Sequence, residues 1–507
     1  MPITDRRFAL LIAASLLAAA AVPYLWAEFS SGTDHVFGGL LFNPIDGNTY
    51  FAKAHQGRQG HWRFRLPYTA EPGDGAYINL YYLFIGHLAR WTGLSIPLIY
   101  NLARLTGVAI MLAALWSFYK AVLEKPAQYR TAFGISALAL GMGWLLIPTG
   151  LLPMDLWVTE AYPLLSALTN PHFPLALALI VVLANPVSGF KGLTRVFRDV
   201  ALALALSLVS PFGVPIALLP WTGSFFSKTF AALRDRTLSL LEILRSQESV
   251  RILAILAGGL PVILYDVYAI RTDPVLSVWD AQNVAILPAW WDIVLSLSPA
   301  LPLAVAGFQR SPKPLKSWFV LGLLLALLPF GLQRRFLMGL YIPLAGMATL
   351  GLESIRRPTI RFLVIACFLP APLLLFLTVR VAVADKNPVL YLHAEEREAM
   401  AWIEANTAPD ALILAAPETG LFIPAYTGRR VIYGHPFETI HAEAEKQAVE
   451  SFFSGLPSGA AGAFLDQRGV DYVFIGPREL QLGPPPDLPS GRLVYSDGDV
   501  QIYATGR

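Results

Sequence analysis

Apolar residues gather in long runs along most of the chain. They fall near 8–27, 97–119, 132–148, 171–186, 200–210, 212–225, 252–269, 286–306, 317–331, 336–352 and 361–383. A helix that spans a bilayer needs about 20 apolar residues, and several of these runs are shorter. Pro211, Gly213 and Pro215 interrupt the stretch from 200 to 225, so two short helices meeting in a hairpin are expected there. Such breaks survive at membrane depth only where protein or a watery cavity covers the backbone. The pattern predicts an all-α polytopic membrane domain over residues 1–384 with about eleven transmembrane helices.

Beyond residue 385 the pattern changes. "EEREAMAWIEANT" (395–407) carries charge at helical spacing, and helices also fit 438–454 and 459–468. "ALILAAP" (411–417), "RVIYG" (430–434), "VDYVFIG" (470–476) and "RLVYSDGDVQIYAT" (492–505) read as strands. Alternating strands and helices predict a small α/β domain over 385–507. "GPPPDLP" (483–489) reads as a short proline-rich loop.

Lysine and arginine orient the chain. They cluster at Arg6 and Arg7, Lys120 to Arg130, Lys191 to Arg198, Lys228 to Arg251, Arg310 to Lys316 and Arg356 to Arg361. All fall on one side if the helices alternate and "GAYINLYYLFIGHLARW" (75–91) lies in the interface rather than crossing. The N-terminus is then cytoplasmic and 385–507 lies outside the cytoplasmic (inner) membrane. Residues 1–22 also fit a signal peptide; an uncleaved anchor suits a continuous polytopic chain better.

Composition agrees with this class. Of 507 residues, 55% are hydrophobic and 14% charged, against about 25% charged in soluble proteins. The one cysteine, Cys367, cannot form an internal disulfide. A net charge of +3, spread over short loops, gives no basic stripe for nucleic acid.

The first external loop, about 28–96, holds "LLFNPIDGNTYFAKAHQGRQGHWRF" (40–64). Asp46 precedes Tyr50 by one helical turn, and Tyr50, Ala54 and Gly57 fit the inner face of a short helix. A turn with Pro67 and Pro72, the interfacial helix and "ARL" (103–105) follow. This order resembles the GT-C superfamily of membrane glycosyltransferases, in the branch of the protein O-mannosyltransferases and aminoarabinose transferases. There an acidic motif, a short helix with a tyrosine, a "G-x-W" phrase (here "GHW", 60–62) and an "A-R-L" opening of the second span occur in this order. "VALALALSLVSPFGVPIALLP" resembles the family's short hairpin. The motif-level likeness covers about 80 residues. The chain departs from many relatives in having Gly47, not glutamate, after the aspartate. "AAPETGLFIPAYTGRRVIYGHPFET" (415–439) resembles soluble tails of bacterial members.

The resemblance implies a polyprenyl-phosphate sugar as donor, with membrane lipids around it and an acceptor that the residues do not name. Such transfer needs a carboxylate to take a hydroxyl proton and cations at the departing phosphate. Asp46 is the candidate base. Arg334 and Arg335, in "PFGLQRRFLMG", are candidates for the phosphate because the guanidinium fork suits phosphate oxygens; interfacial anchoring is their alternative. In the loop 149–170, Asp155 and Glu160 are candidates to bind the acceptor or assist the base. Asp155 as a helix cap and Glu160 as a solvated acid are the plainer alternatives. His172 is a candidate for substrate binding, or a helix-end histidine. Paired acids with His172 admit a divalent cation, but their spacing is not diagnostic. His435 and Glu438 in "GHPFE" are candidates to hang over the site, with an ordinary turn as the plainer alternative. The expected function is sugar transfer at the external membrane face. The alternatives are an oligosaccharide or cell-wall polymer ligase, or a non-catalytic transporter or scaffold for envelope glycans.

Overall fold

Backbone N–H and C=O groups in lipid must pair within their own segment, which makes long apolar runs helical. In a computed structural model, which describes residues 3–187, 189–235, 239–329, 331–456, 459–484, 488 and 491–506, every apolar run contains helix, and 68% of the chain is helical. Residues 485–487 and 489 of the expected proline-rich loop lie outside the described residues.

Among the described residues, five helices are long and apolar enough to cross a membrane: Thr4–Phe29, Ile96–Val122, Pro126–Thr149, Gln247–Thr272 and Pro358–Ala384. Trp290–Leu297 and Ala300–Arg310, bent by 78°, make a sixth if taken together. The remaining runs form His172–Ala184, Gly192–Val209, Gly213–Asp235, Lys313–Ala326 and Tyr341–Leu352. Every residue of Tyr341–Leu352 is buried, so protein neighbours rather than lipid set its length. The expected break occurs at Ser210–Phe212, between helices of 18 and 23 residues that are longer than the short pair expected.

The chain divides into two compact units. The first comprises 1–23, 101–265 and 284–380; the second comprises 24–100, 266–283 and 381–507. Compactness thus groups residues 24–100 with the C-terminal segment, whereas the change in sequence character falls at 384/385.

In the first unit, Arg251 is 1% exposed. Its Nε donates to Asp199 Oδ2 at 3.1 Å, its Nη1 to the Asn185 carbonyl at 2.7 Å, and its guanidinium lies 4.1 Å from the Trp221 ring centre. A buried charge persists only with such partners.

The second unit contains a five-stranded sheet in the order Arg430–Val431, Leu412–Leu414, Tyr472–Ile475, Val500–Ala504, Arg492–Asp497. The first three strands are parallel, and the last two form an antiparallel hairpin beside them. Leu412, Leu414, Val449, Phe452, Val473 and Ile475 form its core. The expected helices appear at Ala394–Asn406, Ala442–Phe453 and Ala460–Arg468. The helix Pro417–Thr427 was not expected; it packs against the helix Pro44–Gln59. His35–Phe37 pairs with Tyr391–His393, so the first loop and the start of the C-terminal segment share a small sheet. A helix forms at Leu80–Thr92, within the stretch expected to lie in the interface. Added Cβ atoms on Gly57 and Gly86 would lie 2.0 Å from the Leu83 carbonyl oxygen and 1.9 Å from that of Ala54, so only glycines let this helix meet Pro44–Gln59 so closely.

Candidate active site

The residues nominated by the sequence divide between the units. Asp46 and Tyr50 belong to the second, and Asp155, Glu160, His172, Arg334 and Arg335 to the first.

Asp46 lies in the first turn of Pro44–Gln59. Pro44 opens this helix, where no backbone N–H is lost. Asn43 caps it in the left-handed region, φ 50°, which asparagine tolerates. A carboxylate in a first turn is favoured by the helix dipole. Asn43 Nδ2 donates to Asp46 Oδ2 at 2.9 Å, and His435 Nε2 lies 3.3 Å from Asp46 Oδ1. The N–H groups of Phe437 and Glu438 both donate to His435 Nδ1, at 3.1 Å. A ring nitrogen that accepts carries no proton, so Nε2 bears it and donates to Asp46. The Asp46 side chain is 46% exposed while that of His435 is 2% exposed; the acid is oriented from a buried side yet open to an incoming group. Gly47 also finds its reason here. An added Cβ would lie 2.7 Å from Leu40 Cδ1, so a glutamate at this position requires the buried Leu40 side chain to shift.

The loop that carries His435 is held from several directions. Gln282 Nε2 donates to the Phe437 and Thr439 carbonyls at 3.1 and 2.6 Å, and Asn283 Nδ2 to that of Phe437 at 3.0 Å. Lys53, 2% exposed, donates to Glu438 Oε1 at 2.7 Å and to Thr49 Oγ1 at 3.3 Å. Its Nζ also lies 5.0 Å from the Tyr50 ring centre. Tyr50 stacks on Tyr82 at 4.1 Å, and the inner face at Ala54 and Gly57 is buried as expected.

In the first unit, Asp155 is wholly buried rather than loop-exposed. Gly143 N–H donates to Oδ2 at 3.2 Å, and Ser296 Oγ lies 3.3 Å from Oδ1 and 2.8 Å from Asp292 Oδ1. Asp292 in turn accepts the Met154 N–H at 3.0 Å. Asp155 therefore joins 143, 155 and 296, and offers no open face to an acceptor. Nor does it cap the helix Met154–Trp157, whose capping residue is Pro153. Burial pushes its carboxyl up to about 7, against hydrogen bonds from Gly143 and Ser296 that lower it; the charge of Asp292 adds to the rise. An acid raised in the folded state stabilises most below its ordinary value near 3.8, and that stability fades as pH rises through about 7. The melting temperature of the purified chain is expected to fall between pH 5 and pH 8, and Asp155→Asn to flatten that slope. An unaltered slope in the variant would assign it to other groups.

Glu160 is buried, with Oε1 3.6 Å from Arg334 Nε, and its carbonyl accepts the Gly339 N–H at 2.8 Å. Arg334 lies 4.8 Å from the Trp157 ring centre and Arg335 5.0 Å from that of Phe212. The Arg334 N–H donates to the Ala285 carbonyl at 2.9 Å, and the Ala285 N–H to that of Gly331 at 2.7 Å, which fixes the turn Gln333–Leu337. Arg335 Nε has no hydrogen-bond partner among the described residues. His172 is buried at the start of its helix, its ring 3.9 Å from that of Phe173.

Among the described residues, no group of three or more His, Cys, Asp or Glu side chains is arranged to hold a metal ion. At Asp46 the donor set does not fit a cation, because His435 presents N–H rather than a lone pair. The Asp155 cluster presents donors from Gly143 and Ser296 and is closed.

The sequence offers no signal for Lys53 or Asp292, and for His435 and Glu438 it favours a turn over a place above the site. The one signal was "GHPFE" itself, a histidine three residues before an acid. Nothing local ties it to Asp46, 389 residues away.

No family model matches the chain, and no curated protein sequence does. The archaeal oligosaccharyltransferase AglB from Archaeoglobus fulgidus, solved with an inhibitory peptide and a dolichol-phosphate, is similar at 14% identity and TM-score 0.49, over 98% of this chain and 74% of that one. ArnT from Cupriavidus metallidurans is similar at 13% identity and TM-score 0.49, over 97% of both chains. The mycobacterial arabinofuranosyltransferase AftD is similar at 16% identity and TM-score 0.47, over 99% of this chain and 40% of that one. At TM-scores of 0.47 to 0.49 no residue role is carried from them to this chain.

Proposed function

We propose that the chain is a GT-C type membrane glycosyltransferase, which moves a sugar from a polyprenyl-phosphate carrier to an acceptor outside the cytoplasmic membrane. One observation carries this reading. Asp46, in the motif of the resemblance, is half-exposed and is oriented by Asn43 and a neutral His435. Asp46 takes the acceptor hydroxyl proton, the acceptor oxygen bonds to the anomeric carbon, and the bond from that carbon to the phosphate oxygen breaks. The polyprenyl phosphate leaves with the electron pair. The direct test is release or transfer of sugar from a polyprenyl-phosphate hexose or pentose by the purified full chain. If the chain neither binds nor turns over any such donor, the assignment is overturned.

For the donor phosphate the reading favours Arg335 over Arg334. Arg334 already stands 3.6 Å from the Glu160 carboxylate, a charge partner that Arg335 lacks among the described residues, while the Nε of each arginine has no hydrogen-bond partner there. Arg335→Gln is expected to weaken binding of a polyprenyl-phosphate sugar by about 10-fold or more, the weight of one charge-assisted hydrogen bond, and Arg334→Gln by less. Equal binding by wild type and Arg335→Gln discards this clamp.

The reading includes eleven crossings with residues 385–507 outside. A reporter active only outside the cytoplasm, fused after Arg507, is expected to be active; a silent reporter reverses the orientation and removes Asp46 from the external face.

A further inference from the structure

We propose that His435 is a positioning residue for Asp46, so that a C-terminal loop sets the aim of the base. This inference rests on the assignment of Asp46 as base. Three observations carry it. His435 Nε2 meets Asp46 Oδ1 at 3.3 Å. Its tautomer is imposed from behind, since Nδ1 accepts the N–H groups of both Phe437 and Glu438. The loop itself is braced: Thr439 Oγ1 accepts the Gly434 and His435 N–H groups at 3.4 and 3.3 Å, Gln282 and Asn283 hold the Phe437 carbonyl, and Lys53 holds Glu438. A base is effective when a third group orients it. Here a buried, uncharged N–H holds one oxygen of a half-exposed carboxylate while Asn43 holds the other. Both Nδ1 contacts are donors to the ring, so Nδ1 serves as an acceptor and Nε2 as the donor while the loop keeps this geometry. His435 orients Asp46 and does not relay the proton onward.

Two conservative variants separate this role from simple support of the loop. Glutamine carries its amide N–H2 near the place of a histidine Nε2, whereas asparagine carries its oxygen near the place of Nδ1. His435→Gln keeps the donor to Asp46; His435→Asn keeps the acceptor for the backbone. Sugar release is measured from polyprenyl-phosphate hexoses and pentoses, with water as acceptor. His435→Asn is expected to lower kcat about 10- to 100-fold with little change in KM, the scale of a reacting group displaced by up to about 1 Å, and His435→Gln to stay near wild type. The reverse order, or two variants both at the wild-type rate, overturns the proposal. In an Asp46→Asn background, His435→Asn is expected to add no further loss; a full additional loss also overturns it. A spectroscopic reading needs no turnover. In the full chain labelled with 15N-histidine, one of eight histidine signals, assigned by its absence in His435→Gln, should show a protonated Nε2, a bare Nδ1 and an Nε2 shift on Asp46→Asn. Protonation at Nδ1, or no response to Asp46→Asn, rejects it. A wild-type rate in Asp46→Asn alone would remove the base assignment instead, and the labelled spectrum still reads the hydrogen bond.

Discussion

Asp46→Asn is expected to lower sugar transfer by about 10²–10⁴-fold, the weight of a general base, while the chain still folds. Asparagine keeps the shape but has no basic oxygen to take a hydroxyl proton. Either Asn43 Nδ2 or His435 Nε2, both of which reach the carboxylate, then faces an amide N–H2 and loses its bond. At a half-exposed site that costs about 0.5–1.5 kcal/mol, too little to unfold the protein. The check compares initial rates of sugar release by wild type and variant at matched concentration, with melting temperatures measured alongside. A wild-type rate in Asp46→Asn removes Asp46 as base. Asp155 is then no substitute, because it is wholly buried and bonded within the protein. Asp34, exposed in the same loop, becomes the next acid to test.

Lys53→Met is expected to destabilise the protein by about 3–5 kcal/mol, the usual effect of leaving one member of a buried ion pair alone. The pair has side chains 3% and 10% exposed at 2.7 Å, so solvent cannot take over the role of the lysine. Glu438 Oε2 already lacks a partner among the described residues, which makes the remaining charge harder to accommodate. Removing both charges, in Lys53→Met with Glu438→Leu, is expected to recover most of the loss, since no unpaired charge stays buried. Thermal unfolding in detergent and limited proteolysis of the 435–439 loop check both variants. A loss under about 1 kcal/mol in the single variant would put the pair in the range of exposed ones and remove it as a brace of that loop. The same variants separate stability from chemistry, since Lys53 touches Glu438, Thr49 and the Tyr50 ring but not Asp46 in any bond described above.

The helical runs were legible because a bilayer demands about 20 apolar residues per crossing and backbone pairing within each segment. The break at Pro211 and the helix that joins Asp46 to Tyr50 were legible too, since helix starts and stops follow from proline, glycine and asparagine nearby. So were the strands at 412–414 and 472–475, as short apolar runs between turns. Each of these depends on neighbours within a few residues. Burial of a polar side chain does not. Lys53 sits among polar residues and looks solvated, yet the helix Pro417–Thr427 and the 435–439 loop enclose its helix. Asp155 reads as an exposed loop acid, yet Gly143 and Ser296 close over it. His435 reads as a turn, and its tautomer follows only from the two N–H groups that point at Nδ1. Local sequence thus determined the membrane class, the helical layout and the nomination of Asp46. Only tertiary structure decided which acids meet solvent, which charges are paired and what aims Asp46, because each depends on a segment tens to hundreds of residues away that periodicity does not encode.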